Sequence, residues 1–181
     1  IYVFYGCSNL RNISISENSK LSSFGEFAFA YCTSLSSFTL PPKIINIPRY
    51  LFRGCSNLLS VEINDDITSI DSHSFCNCTS LRNFTIPPKV NRISYYSFGG
   101  CSNLTSIIIQ GNLTSISENA FEGCINLNYV FYNGSNDLSN HSDVFYDSPV
   151  DVVYVTPQYE SEYFCGLPAR LPPTQLFSLS D

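Results

Sequence analysis

Charged side chains are scarce in this chain of 181 residues, since Lys, Arg, Asp and Glu together make up only 13% of it. Methionine and tryptophan are absent, and there are only two histidines. The formal net charge is −6, which argues against nonspecific nucleic-acid binding, because that binding needs basic side chains against the phosphates. No run approaches the roughly 18 apolar residues of a membrane helix, so we predict no membrane span within this sequence.

The shortage of histidine limits the chemistry that the chain can offer. His73 and His141 each lie in a polar stretch, so a Ser or Cys nucleophile with an orienting base has little support. No glycine-rich loop that could cradle a phosphate is present. We therefore expect no enzymatic activity, no catalytic residue and no cofactor.

Two short motifs raise the question of a metal ion. His73, Cys76 and Cys78 bring soft ligands together in "HSFCNC", but zinc needs four ligands and no second pair lies nearby in the sequence. The Asn-Asp-Asp segment at 64–66 could bind calcium weakly, although a solvated turn is the simpler interpretation. We predict no metal site.

The dominant feature of the sequence is an internal repeat. The motif CSNL occurs at 7–10, 55–58 and 101–104, and the related CTSL and CINL motifs occur between and after these copies. Apolar positions recur with a period of about 23 residues. Only the first step of the row that begins at Ile13 is longer. The rows that define the period are Ile13, Phe38, Val61, Phe84, Ile107, Val130 and Val153; Leu21, Ile44, Ile67, Val90 and Leu113; Phe24, Ile47, Ile70, Ile93 and Ile116; and Phe29, Phe52, Phe75, Phe98 and Phe121.

Such a repeat predicts a solenoid, in which stacked coils bury apolar faces that a single coil could not bury alone. Each coil reads C-x-x-L-x-x-φ-x-φ, where φ is apolar, then a turn, φ-x-x-φ, and a Phe three residues before the next Cys. The φ-x-φ part, from Ile13/Ile15 to Val153/Val155, has the alternation of a strand.

The repeat length is that of a leucine-rich repeat. We predict a leucine-rich repeat solenoid of the α/β type, with mostly short parallel strands joined by turns or short 3-10 helices in a right-handed, single-domain arc. About seven coils would occupy residues 1–155, the first truncated and the last irregular. Residues 156–181 would form a C-terminal cap or a proline-rich linker.

Six of the eight cysteines recur in phase with the apolar rows, which favours small buried thiols over disulfides. Parallel Cβ vectors on neighbouring coils would also oppose pairing. The six are Cys7, Cys32, Cys55, Cys78, Cys101 and Cys124. Cys76 lies two residues before Cys78 and is predicted to point outward, whereas Cys165 lies in the terminal segment. Either of these two could bond to a partner, although an unpaired thiol is the simpler prediction.

The segments "IPPKVNRISYYSFGGCSNLTSIII" (86–109) and "NLTSISENAFEGCINLNYV" (112–130) resemble the BspA-like, Treponema-type branch of leucine-rich repeat proteins. The resemblance covers nearly all of residues 4–155, and it implies a sheet on one face of the solenoid with short helices or turns on the other. It also implies a cell-surface or secreted protein of bacteria or parasitic protists that acts in adhesion and host contact. Since the chain begins within a coil, we interpret it as cut from a longer array.

The outward positions of the predicted sheet are the ones left free to bind. The central φ-x-φ row is Ser14, Thr39, Glu62, Thr85, Ile108, Phe131 and Val152, and the flanking row is Asn12, Ser37, Ser60, Asn83, Ser106 and Tyr129. Our candidate ligand-binding residues are Glu62, Thr85, Ile108, Tyr129 and Phe131, because solvent-facing aromatic residues beside an aliphatic one indicate a contact patch. The alternative is that the tail, residues 171–177, folds back and covers them.

Seven N-x-S/T sequons occur, at Asn12, Asn77, Asn83, Asn103, Asn112, Asn133 and Asn140. A chain rich in Ser, Thr and Asn produces sequons by chance, but in a secreted eukaryotic protein the loop sites Asn112, Asn133 and Asn140 are the best candidates for glycosylation.

Two functions remain open at this stage. The first is a non-enzymatic extracellular adhesion module that contacts a protein or glycan on a host or neighbouring cell. The second is a structural stalk or spacer that presents another domain.

Overall fold

The computed structural model describes residues 1–173 and has the architecture of a parallel-strand β-solenoid. Equivalent residues of successive coils pair with each other, so the predicted stacking of like on like is confirmed. Turns connect the strands, and the described residues contain no helix. The face opposite the main sheet therefore consists of turns, not of short 3-10 helices.

The main sheet is built from the φ-x-φ segments. Its parallel strands are β1 (Ser37–Thr39), β3 (Ser60–Glu62), β5 (Asn83–Ile86), β7 (Ser106–Ile109), β9 (Tyr129–Tyr132) and β10 (Val153–Val155). β1 pairs only with β3, and a continuous run begins at β5. Alternate residues of each strand are buried, as in Phe84 and Ile86 of β5, because successive side chains point to opposite faces.

A second, narrower parallel sheet runs along the neighbouring corner of the coils. It consists of β2 (Asn46–Ile47), β4 (Ser69–Ile70), β6 (Arg92–Ile93) and β8 (Ser115–Ile116). The φ-x-x-φ spacing does not predict strands here, because it lacks the alternation of a longer strand. Two residues per coil are enough for pairing once the main sheet fixes the register, and the isoleucine of each short strand is buried.

The first coil departs from the prediction. Ile13 and Ile15 are apolar at strand spacing, yet neither belongs to a strand, and both side chains are only half-buried. The step from Ile13 to Phe38 is 25 residues, but Phe4 and Phe29 are equally far apart and their rings still stack, so the longer step alone does not account for the missing strand. Side-chain alternation is therefore not sufficient to produce a ladder.

A column of phenylalanine rings runs through the core. The rings of Phe4, Phe29, Phe52, Phe75, Phe98, Phe121 and Phe145 are each stacked on the next. Centroid separations lie between 5.1 Å, for Phe75 and Phe98, and 5.8 Å, for Phe29 and Phe52. Phe145 extends the column although it lies one position beyond the place that the period predicts, because the polar loop after Phe121 absorbs the extra residue.

The cysteine row forms a second column, in which each thiol hydrogen-bonds to a backbone carbonyl of the preceding coil. Cys101 Sγ donates to the carbonyl of Phe75 at 3.2 Å, and the other thiols from Cys32 to Cys124 bond in the same way at 3.1 to 3.2 Å. In the last coil Ser148 takes this place, and its Oγ donates to the carbonyl of Phe121 at 2.7 Å. The position therefore requires a small side chain with a hydrogen-bond donor, because an unpaired buried carbonyl is costly.

Two predictions about cysteine are wrong. Cys7 is exposed although it belongs to the row, since no coil of the described chain precedes it. Cys76 is predicted to point outward, yet it is 4% exposed. The prediction assumes the alternation of a strand, but Asn77 between Cys76 and Cys78 has a left-handed φ of 59°, which breaks that alternation. All eight cysteines are free.

The turns carry two columns of left-handed residues, with φ between 53° and 70°. One column is Tyr2, Phe27, Tyr50, His73, Tyr96, Asn119 and Asp143, and the other, a turn further along, is Gly6, Tyr31, Gly54, Asn77, Gly100, Gly123 and Asp147. Coil-to-coil backbone bonds join the turns, as where Gly54 N–H donates to the carbonyl of Cys76 at 2.8 Å. Glycine, Asn and Asp suit such positions, whereas tyrosine and phenylalanine are costly there.

A hairpin closes the sheet at its C-terminal end. β11 (Tyr163–Phe164) pairs with β12 (Leu167–Arg170), which lies parallel to β10. Cys165 and Gly166 make the connection with φ of 50° and 81°, the signs required by a tight two-residue hairpin turn. The ring of Phe164 packs 4.9 Å from that of Tyr132, which covers the last coil.

We expect Phe75→Ala to lower the free energy of unfolding by about 3–5 kcal/mol, as for a large-to-small change in a core. The ring of Phe75 is fully buried and packs against Phe52, Phe98 and Phe84 with centroids 5.0 to 5.5 Å away. Urea unfolding measures the change. Ile125→Ala, at a site that is 58% exposed, is the control and should stay within about 0.5 kcal/mol. A near-neutral Phe75→Ala would contradict the buried column.

We also expect one of the eight thiols, that of Cys7, to react with a colorimetric disulfide reagent in the native protein at pH 8. The others are buried, and burial raises the pKa of Cys32 to about 11 and that of Cys55 to about 12, so few thiolates form. Cys7→Ser should abolish the fast reaction, and urea should release all remaining thiols. A fast reaction of several thiols before unfolding would show that the column is open.

Candidate binding face of the sheet

The outward side chains of the C-terminal strands form one continuous row. Thr85, Ile108, Phe131 and Tyr154 are register partners on β5, β7, β9 and β10. Ile108 is 37% exposed, and the rings of Phe131 and Tyr154 are half-buried. The row changes from a hydroxyl at β5 to apolar and aromatic surface at β9 and β10.

The β10 member of this row differs from the prediction, and the row continues to the exposed Arg170 on β12. The sequence interpretation assigns Val152 to the β10 position, but the residue that pairs with Phe131 is Tyr154, and Val152 precedes the strand. One further step of 23 residues from Phe131 leads to Tyr154, so the repeat period itself predicts Tyr154 at this position. The structure thus adds an aromatic residue that the sequence interpretation missed.

Tyr129 lies beside this row, on the same face of β9 as Phe131, and its register partner is Ser106. Its ring lies 5.3 Å from that of Tyr154, with 31° between the planes. Burial and the neighbouring Tyr154 raise the pKa of the Tyr129 hydroxyl, so the group is a neutral hydrogen-bond donor at physiological pH. Tyr129, Phe131, Tyr154 and Ile108 together form what we call the aromatic patch.

Glu62 is separated from the aromatic patch by a break in the main sheet. No pairing joins β3 to β5 in the described part of the chain. Pro87, directly after β5, has no N–H, so it cannot make the bond that Gln110 makes to Ile86 in the next coil. The break leaves a shallow depression of about 420 Å³ in which Glu62 faces Thr85, and the Glu62 carboxylate accepts a 3.0 Å bond from Thr39 Oγ1.

The tail is the alternative cover for the aromatic residues. Leu171, at its start, is 61% exposed, so its side chain lies mostly in solvent. Residues 174–177 of the predicted cover lie outside the described residues.

The residues of the two metal motifs have other contacts. The His73 ring is stacked between Tyr50 and Tyr96, and Cys78 Sγ donates to the carbonyl of Phe52. In the 64–66 turn, Asn64 Nδ2 donates to the carbonyl of Ile44 at 3.2 Å and its Oδ1 accepts from the backbone N–H of the last turn residue. Within residues 1–173 no group of three or more His, Cys, Asp or Glu could hold a metal ion.

The three candidate glycosylation sites, Asn112, Asn133 and Asn140, are exposed. Asn112 Oδ1 accepts bonds from Ser135, which leaves its Nδ2 directed elsewhere. At Asn103, by contrast, Nδ2 itself donates to the carbonyl of Thr79 at 2.8 Å.

Comparison with known families decides the identity of the repeat. A model of the BspA type leucine rich repeat region matches residues 1–128 in six copies. The chain belongs to this family. The resemblance noted in the sequence is thereby confirmed, and the main sheet with its outward row is the strand face of a BspA-type leucine-rich repeat.

Solved structures of related architecture support the same fold. A leucine-rich repeat protein of T. pallidum (TpLRR) is 26% identical over 65% of this chain and 53% of its own, with a TM-score of 0.58. The pneumococcal vaccine antigen PcpA is 17% identical over 82% of this chain and 38% of its own, with a TM-score of 0.63. This BspA-type chain thus spans about half the length of TpLRR and less of PcpA. No match was found among curated proteins.

Leucine-rich repeat proteins of this family typically fit a binding or adhesion role, and they are generally not catalytic. Among the described residues no helix is both long and apolar enough to cross a membrane.

Proposed function

We propose that this BspA-type chain is a non-enzymatic extracellular adhesion module that contacts a protein or glycan on a host or neighbouring cell. The aromatic patch on the C-terminal half of the main sheet makes the contact. Thr85 and Glu62 extend the contact toward the N-terminal coils as polar positions.

The observation that carries this proposal is the register of the outward row. Ile108, Phe131 and Tyr154 follow one another on three adjacent strands, and Tyr129 packs beside them. These residues do not fill the core, because the alternate positions Ile107, Val130 and Val153 do so. Aromatic side chains on a rigid outward face supply much contact area at a small entropic cost, which is why they dominate binding hot spots.

Membership of this family supports an extracellular location, because the resemblance to the BspA-like branch implies a surface protein. The chain also has a composition suited to a solvated surface, with polarity carried mainly by uncharged Ser, Asn and Thr. The competing function is a stalk that only spaces another domain. That function does not explain why the aromatic patch is exposed.

The double change Tyr129→Ser with Phe131→Ser tests the proposal. We expect it to reduce adhesion of the purified protein to cultured epithelial cells by at least tenfold, because it removes both rings from the centre of the patch. Flow cytometry of labelled protein measures adhesion. Ile125→Ser is the matched control, since it also removes an exposed apolar side chain, 58% exposed, but lies at a coil corner outside the patch.

The unfolding midpoint of the double variant must remain near that of the unchanged protein for the comparison to count. Equal adhesion of the double variant and the control would favour the spacer or a contact elsewhere on the surface.

We also propose that Asn112, Asn133 and Asn140 carry glycans when the chain is made in a eukaryotic secretory host, whereas Asn103 does not. A glycan on Asn103 would disturb the bond from its Nδ2 to Thr79. Enzymatic glycan release converts an occupied Asn to Asp, which peptide mass spectrometry detects. Occupancy at Asn103 with the three loop sites empty would contradict the proposal.

A further inference from the structure

A second aromatic column lies at the surface of the turns, formed by the left-handed residues Tyr2, Phe27, Tyr50, His73 and Tyr96. Neighbouring rings are stacked, with centroids 4.2 Å apart for Phe27 and Tyr50 and 5.3 Å apart for His73 and Tyr96. A left-handed conformation is sterically unfavourable for a bulky residue, and strained residues of this kind cluster at functional sites.

Two arginines lie beside the middle of this column. The guanidinium carbons of Arg49 and Arg53 are 5.8 and 5.5 Å from the centre of the Tyr50 ring. Both faces of that ring are already covered, by Phe27 and by His73. Both guanidinium groups are thus held beside the aromatic column, at cation–π distance from Tyr50.

Within residues 1–173 these two arginines have no carboxylate partner. In the part of the chain that the structure describes, the ion pairs are Lys89 with Asp66 and Arg92 with Asp71. Like charges held close together on a protein surface repel each other, and a bound anion compensates that repulsion.

Arg53 is held in position by its neighbours. Its Nε donates to the hydroxyl of Tyr31 at 3.0 Å, which leaves its two terminal nitrogens free to bind a ligand. The Tyr31 ring in turn lies across Gly54, where a Cβ would come within 2.6 Å of a ring carbon. A guanidinium with one donor fixed and two nitrogens presented is suited to an oxygen anion.

His73 adds a third nitrogen-bearing group on the next coil. Its Nδ1 is buried without a hydrogen-bond partner, so its other ring nitrogen, Nε2, is the one left to contact a ligand. Burial lowers the pKa of His73, and the charges of Arg53 and Arg49 lower it further, so positive potential converges on this ring. Tyr31 and Tyr95, 38% and 40% exposed, flank the cluster with ring surface and hydroxyls.

We propose that Arg49, Arg53 and His73 form a binding site for the sulfate or carboxylate group of an acidic sugar. The arginines bind the oxyanion, His73 supplies a further polar contact, and the flanking tyrosines contact the sugar ring and its hydroxyls. The site lies in the turns, away from the aromatic patch, and is independent of the function proposed for the sheet.

The test compares a sulfated disaccharide with its unsulfated counterpart at constant ionic strength, using calorimetry on the whole chain. We expect the sulfated sugar to bind at least tenfold more tightly, and the change Arg49→Gln with Arg53→Gln to remove that difference. Arg92→Gln is the matched control, because it removes an exposed arginine from a pair with Asp71 and should change affinity less than twofold. Tyr129→Ser with Phe131→Ser should also leave this binding unchanged.

A second readout does not depend on the folding of any variant. Addition of inorganic sulfate to the unchanged protein should shift the NMR signals of the His73 ring and leave those of His141, the other histidine, in place. Equal binding of both sugars, equal loss in Arg92→Gln, tighter binding of an acidic peptide of the same charge, or a His73 signal that does not respond would each overturn the proposal.

Discussion

Each coil is held in place because the coil beside it presents the same residues at the same height. The Phe rings, the thiol-to-carbonyl bonds and both parallel sheets are separate expressions of this constraint. A coil taken alone would expose its apolar face and leave its carbonyls unpaired, so stability arises between neighbours. The constraint also determines what is left for function, since a side chain that is fully buried between coils cannot contact a ligand.

Two surfaces lie outside the buried columns, and their side chains differ in chemistry. The outward row of the main sheet becomes aromatic at β9 and β10 and ends at the exposed Arg170 on β12. The turn surface near Tyr50 instead combines stacked rings with two arginines that form no ion pair among the described residues. A repeat protein can thus present unlike surfaces on one scaffold, because the outward positions vary from coil to coil while the buried positions do not.

Much of the fold could be predicted from the sequence, since a constant repeat period fixes which side chains share a row. The buried Phe column and the outward positions of Thr85, Ile108 and Phe131 follow directly from that spacing. Irregular coils are harder to interpret, because the alternation of Ile13 and Ile15 does not produce a strand and the extra residue before Phe145 conceals its place in the column.

The surroundings of Cys76 and the arginine cluster depend on left-handed turn residues, and strand alternation does not describe these. The side chains of such turns take directions that are set by a positive φ, which a count of apolar positions does not reveal. The recurrence of Tyr2, Phe27, Tyr50, His73 and Tyr96 was the signal that could have indicated the second column.

The replacement of a thiol by Ser148 in the cysteine column has a wider consequence. A hydroxyl performs the same task as the sulfur, so the solenoid uses cysteine for its size and its proton and not for covalent cross-linking. Small extracellular domains often depend on disulfides, and such domains lose their fold when these are reduced. A solenoid closed by hydrogen bonds and stacked rings should keep its fold in reducing and oxidising surroundings alike.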